Sequence, residues 1–248
     1  MSTAVVPAQV ALVSQSGRVS LERLQHYATA LQEQVVRDFG PIWRVSATVS
    51  AYADARQVPS GHWPIFIQDD IHMQGAAGVH LDDHNQPYAV VESYGDVSLT
   101  LSHELLEMLA DPWGNRVIAG HGPRNTDFSR RRVHYLLEVC DPCEGKAFAY
   151  LIGDVLVSDF LLPSYWSTVS RLGQHHSFTG AIDRVLTVLP DGYVSWTYEG
   201  EWFQLTNFRG KAEIRDLGVA DKVRAGASIR NVIDQASQDA RRLFVGAE

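Results

Sequence analysis

Cysteine is scarce: Cys140 and Cys143 are the only two in 248 residues. Two thiols cannot build the disulfide framework of a small secreted scaffold, and no second pair exists to complete a four-cysteine zinc site. Basic residues are also few, with 21 Lys and Arg against 29 Asp and Glu, a formal charge of −8 and a pI near 5.6. Phosphate binding needs a basic face, and the one basic cluster, Arg130-Arg131-Arg132, falls in a polar loop, so no nucleic-acid partner is expected. Long apolar runs are missing as well. No segment reaches the roughly 18 unbroken apolar residues of a membrane span. The stretch from Met1 to Val13 lacks a positive start and carries Pro7 and Gln9, unlike a signal peptide. The expectation is therefore no membrane partner and a cytoplasmic location. Repeats, low-complexity tracts and a Pro- or Ser-rich linker are absent too, which favours one composite domain over residues 1–248 with lobes 1–112 and 113–248.

What is present is a hydrophobic fraction of 45% and a clear alternation of strand and helix signals. Gln9 to Ser14 reads as a buried strand. Leu21, Leu24, Ala28, Leu31 and Val35 then recur at helical spacing, and Gly40-Pro41 is expected to stop that helix. Trp43–Tyr52, His62–Gln68 and Pro87–Glu92 read as strands, Leu81–Gln86 as a polar turn, and Ser98 to Ala110 as a helix. The first half thus reads βαβββα. From Pro112 to Arg132 the pattern is polar and long for a structureless loop, which suggests a lid or substrate-facing segment. Hairpins are expected from Ala147–Ile152 with Val155–Leu162, and from Val185–Leu189 with Tyr193–Tyr198 across Pro190-Asp191-Gly192. A final helix carries Ile229, Val232, Ile233, Ala236, Ala240 and Leu243 along one face. The fold class is α+β: a mixed sheet and a functional helix first, antiparallel hairpins and a C-terminal helix second.

The helix at Ser98–Asp111 holds the chemistry. At about 100° per residue, His103, Glu104, Glu107 and Asp111 share one arc of roughly 100°, and leucines and Met108 fill the rest. A helix that apolar is buried, and buried carboxylates repel one another unless a cation or proton joins them. His103 and Glu107, at i and i+4, can chelate one ion. Glu104 beside them is placed to act as general base on a metal-bound water. Asp111 lies about 12 Å along the helix from His103 and directly before Pro112, which favours a capping or supporting job. A further ligand is sought in Leu136–Glu144, where Glu138 leads and Asp141 follows.

These residues resemble the zincin metallopeptidase superfamily over about residues 8 to 145. More narrowly, Ser102-His103-Glu104-x-x-Glu107 with Asp111-Pro112, followed by Glu138-x-x-Asp141-x-Cys143, is similar to a group of uncharacterised bacterial zincin-like proteins. The resemblance implies a zincin-like fold, proteolysis of a peptide or small amide, and one divalent metal ion, zinc before manganese, iron or calcium. Two features depart from the superfamily pattern. Glu107 replaces the second histidine, and with methionine only at 1, 73 and 108 no Met-turn follows, which disfavours a metzincin.

Plainer readings stand beside these. A His-Glu-x-x-Glu string alone is common in helices, so a non-catalytic metal-binding or assembly module is the rival reading. Cys140-Asp-Pro-Cys143 has redox spacing without a thioredoxin-like context; structural thiols are expected, with a local disulfide or a cysteine ligand as the other options. His80, Asp82, Asp83 and His84 read as a solvated loop rather than a second ion site. His175-His176, Tyr165 and Tyr193 are open candidates for a transition-state donor, and the tryptophans for core or groove.

Overall fold

The computed structural model describes residues 7–73, 75–169, 171, 173–219 and 228–245. It is a mixed α+β chain that divides into two compact units, Met1–Pro112 with Ala149–Ser158, and Trp113–Phe148 with Asp159–Glu248. The first contains β1 (Ala8–Ser14), α1 (Leu21–Glu33), a π-helical stretch (Gln34–Phe39), α2 (Gly40–Trp43), β2 (Ala47–Tyr52), β3 (Trp63–Gln68), β4 (Gly78–Asp83), β5 (Gln86–Glu92) and α3 (Val97–Ala110). β6 (Val117–His121) and β7 (Arg132–Leu136) belong to the second unit; β8 (Tyr150–Ile152) and β9 (Val155–Val157) form a hairpin of the first. The sequence reading had grouped that hairpin with residues 113–248. β10 (Tyr193–Tyr198), β11 (Glu201–Phe208), β12 (Lys211–Val219) and α4 (Ile229–Val245) complete the second unit.

Unit 1 is built on a sheet of order β2-β1-β3-β5-β4. β1 runs parallel to β2 and β3, β3 runs parallel to β5, and β4 closes the edge antiparallel to β5. Val10-Ala11-Leu12-Val13 in β1 is at most 1% exposed, as a central parallel strand covered on both faces requires. α1 starts where Ser20 accepts from the Arg23 amide, and it buries Leu24, Ala28 and Leu31. Gly40-Pro41 does not stop it. The helix widens into the π stretch, Pro41 takes the first turn of α2 where its missing N–H costs nothing, and the chain leaves through Arg44 at φ 56°. Gly40 is required there, because a Cβ would lie 2.6 Å from the Val35 carbonyl oxygen and 2.7 Å from that of Val45.

The first half carries one strand more than expected. The predicted turn over Leu81–Gln86 is only His84-Asn85, with φ of 50° and 66°, while Asp83 pairs with Gln86. This is a two-residue hairpin of the twisted type, and it lets β4 extend back to Gly78.

Unit 2 is an antiparallel sheet of order β12-β11-β10-β7-β6. β6 occupies the stretch read as a structureless lid. No strand forms at Val185–Leu189, so Pro190-Asp191-Gly192 is a turn leading into β10 rather than the tip of a hairpin. The hairpins instead turn at Glu199-Gly200 and Arg209-Gly210, whose paired positive φ values of 54° and 88°, and 49° and 78°, fit two-residue loops. Trp196, fully buried, stacks on Phe203 at 5.9 Å, and Phe128 packs on Phe203 at 4.7 Å. Ile233 of α4 packs with Leu136 and Trp202. Among the predicted stripe of α4, the side chains of Ala240 and Leu243 fall outside the described residues, as do residues 1–6 of the leader comparison.

A buried polar network fixes α3 within unit 1. Ser102 donates to the Gln34 side-chain oxygen at 2.7 Å and accepts from the Ser158 amide at 2.9 Å. Gln34 in turn donates to the Ser158 carbonyl at 3.0 Å and to the Tyr150 hydroxyl at 3.1 Å. Tyr150 donates to Asp38 at 2.9 Å, and burial raises its phenol above the ordinary range. Ser98 adds a bond to the Leu156 carbonyl at 2.9 Å. The π stretch is what turns Gln34 inward to serve α3 and the β8–β9 hairpin together. Replacing Gln34 by Ala strands the Ser102 hydroxyl and the Ser158 carbonyl, so urea unfolding should show a loss on the order of 2 kcal/mol. Thr29→Ala on the exposed face of α1 should lose much less.

Candidate metal centre

α3 is buried on nearly every side. Leu101, Leu105, Leu106 and Met108 are fully buried and Leu109 is 4% exposed. The acids lie inside as well: Glu104 is 3% exposed, and Glu107 and Asp111 are fully buried. The His103 side chain retains 12% exposure. At the helix end the Asp111 amide donates to the Glu107 carbonyl at 2.7 Å, and Pro112 prevents another turn.

Across from this face, β4 contributes His80, 1% exposed. Its Nε2 lies 3.2 Å from the Asp111 carbonyl oxygen. A carbonyl only accepts, so Nε2 carries a proton, and Nδ1 is the ring nitrogen turned toward the acids. That Nδ1 stands 3.7 Å from Glu104 Oε2 and 3.7 Å from Glu107 Oε2. Glu107 Oε2 is also 3.4 Å from His103 Nε2. Neither His80 Nδ1 nor Glu104 Oε2 has a hydrogen-bond partner among the described residues.

These separations suit a shared cation. Two donor atoms about 2 Å from one ion at a tetrahedral angle stand about 3.3 Å apart. The ligand atoms of His80, Glu104 and Glu107 all lie within 4.8 Å of one another and can hold a metal ion. Two carboxylates converging out of water repel one another, and a divalent cation would convert that repulsion into attraction. Gly78 braces the arrangement. A Cβ on it would sit 2.7 Å from Glu104 Oε1, 2.9 Å from Glu104 Cγ and 2.6 Å from Thr100 Cγ2, so only glycine allows β4 this close to α3.

Three of the predicted site residues, His103, Glu104 and Glu107, stand on one buried helix, with His103 Nε2 at 3.4 Å from Glu107 Oε2 and both glutamates at 3.7 Å from His80 Nδ1. His80, expected in a solvated loop, is instead a buried member of the group. The signal that would have found it is the His84-Asn85 turn, because a tight turn there extends the strand upstream through His80. Asp83 and His84 are exposed and contact each other at 2.5 Å, apart from His80. Asp111 supports through its backbone, receiving His80.

Glu138 and Asp141 belong to unit 2. Glu138, 5% exposed, is ion-paired with Arg230, whose Nε is also 3.4 Å from Asp234. A guanidinium on that carboxylate competes with any metal, which leaves Asp141 as the stronger acidic candidate of its segment. Asp141 is fully buried and begins the single turn Asp141–Cys143. Cys140 and Cys143 are buried and not joined by a disulfide. His176 is fully buried with Nδ1 3.0 Å from the Ser164 hydroxyl, and burial lowers its pKa; it is a packing residue. Burial likewise raises the phenols of Tyr165 and Tyr193. Trp166, Trp196 and Trp202 are core, whereas Trp113 is 41% exposed.

Gly78→Ala tests the geometry. It should push Glu104 off its present position, cost about 1–3 kcal/mol of stability in urea unfolding, and weaken about tenfold, in calorimetric titration, the binding of any divalent cation that the group takes up. Gly17→Ala, with open space around its Cβ, should change neither. No protein-family model, curated protein or solved structure matches this chain.

Proposed function

We propose that the chain is a zincin-like, metal-dependent hydrolase acting on a peptide or small amide, with His103 and Glu107 as metal ligands and Glu104 as general base. The observation that carries this reading is the 3.4 Å separation of His103 Nε2 from Glu107 Oε2, at a carboxylate fully removed from water. That spacing is longer than a good hydrogen bond and right for two ligands of one ion. Nitrogen and carboxylate donors together suit zinc, which is the proposed identity. The parallel sheet with an antiparallel edge strand, and α3 following β5, supports the zincin-like assignment.

An ion held there supplies a polarised carbonyl and an acidified water. Glu104, next in sequence to His103 and with Oε2 free of hydrogen bonds, accepts a proton from the attacking water and returns it to the leaving amine. His103 is the ligand through which the centre reaches solvent, since its side chain alone among the three keeps appreciable exposure. Ser102, locked to Gln34 and Ser158, sets the rotation of α3 that points these groups together.

One observation favours a second reading, a non-catalytic cation site: Glu104 is 3% exposed and faces His80, as a structural ligand would. Metal content by mass spectrometry and turnover of a quenched-fluorescence peptide library separate the two. On the hydrolase reading Glu104→Gln keeps its metal and loses about 10²–10⁴ in kcat, while His103→Ala loses metal and turnover together. A Glu104→Gln protein as active as the parent contradicts the mechanism. A metal-loaded parent that turns over nothing supports the structural site instead.

A further inference from the structure

We infer that His80, Glu104 and Glu107 form a second, inner site for a first-row divalent cation, and that filling it withdraws Glu104 from catalysis. This rests on the hydrolase reading above, in which the first ion belongs to His103 and Glu107.

Three observations lead to it. His80 is held in one orientation: 1% exposed, its Nε2–H committed to the Asp111 carbonyl at 3.2 Å, its Nδ1 directed at Glu104 and Glu107 and without a hydrogen-bond partner among the described residues. Glu104 is oriented too, because Gly78 packs against Oε1 while Oε2 lies 3.7 Å from His80. Finally, His103 is outside the group of three whose ligand atoms all lie within 4.8 Å of one another, although it approaches the same Glu107 oxygen at 3.4 Å. Glu107 Oε2 therefore has one histidine nitrogen at 3.4 Å and another at 3.7 Å, and His103 does not join His80, Glu104 and Glu107 in a single ligand group. A carboxylate placed that way bridges two ions, as in two-metal hydrolytic centres.

The donor set selects the class of ion. One imidazole and two carboxylates suit zinc or manganese, whereas calcium demands six to eight oxygens, more than this enclosed group provides. Once Oε2 of Glu104 coordinates the inner ion, its lone pair no longer accepts a proton from water. Hydrolysis should then rise as the first ion binds and fall as the second does, which makes divalent-cation concentration a brake built into the site.

Equilibrium dialysis of the full chain against zinc, read by metal analysis, tests this directly. The parent should bind two ions per chain, and His80→Ala and Glu104→Gln should each bind one. In the peptide-library assay the parent's rate should pass through a maximum with rising zinc, and His80→Ala should lose the falling limb. If His80→Ala does not fold, Glu104→Gln alone still reads the stoichiometry. A parent that binds one ion, kept in His80→Ala and lost in His103→Ala, overturns the inner site and leaves the proposed function standing. One ion lost in His80→Ala and kept in His103→Ala overturns the two-site arrangement and moves the ion inward. No bound zinc at any concentration defeats both.

Discussion

Two carboxylates held out of water against a buried histidine are the constraint on which unit 1 turns. Glu104 and Glu107 occupy the inner face of a helix rich in leucine, at 3% and 0% exposure. Burying one ionised carboxylate costs several kcal/mol even after relaxation, and two side by side cost more. The surrounding structure is organised to bear that load: Gly78 admits the edge strand, His80 comes with it, and Asp111 fixes the ring's tautomer through its own carbonyl. On the proposed reading, a cation satisfies these groups together.

The network around Gln34 shows how the rest of the unit serves this centre. A helix that simply ended at Gly40-Pro41 would keep Gln34 in ordinary α-helical register. Widening it to a π turn brings the amide to Ser102, Ser158 and Tyr150. Ser102 precedes His103 directly, so the hydrogen bonds of the serine set the azimuth of the histidine and of both glutamates after it. On the proposed reading, the Ser-His-Glu-x-x-Glu string is a structural residue followed by three chemical ones. The first is legible only once its partner, 68 positions away, is seen.

Much of this was readable from residues. The 3.6-residue spacing placed the ionisable arc of α3, because periodicity reports burial whenever one face is polar and the rest apolar. β1, α1 and the β8–β9 hairpin follow the same kind of local rule. What escaped detection depended on turns of unfamiliar composition. His84-Asn85, Glu199-Gly200 and Arg209-Gly210 adopt positive φ without the usual Asn-Gly or Asp-Gly pair, so β4, β11 and β12 had no marked ends. Pro190-Asp191-Gly192 has the right composition for a hairpin, yet it only leads into a strand, because the segment before it pairs with nothing in the sheet. His80 was lost with β4. The ion pair of Glu138 could not be read from spacing, because its partner Arg230 comes from a helix 92 residues later.

The central claim is that a metal ion, and not a shared proton, reconciles the buried acids. Anomalous diffraction from crystals of the full chain, recorded on both sides of the zinc absorption edge, addresses it most directly. The account predicts a peak in contact with Glu107, on its His103 side. Absence of any peak there from zinc-soaked crystals, with the Glu104 and Glu107 oxygens drawn together to hydrogen-bonding distance, would contradict it.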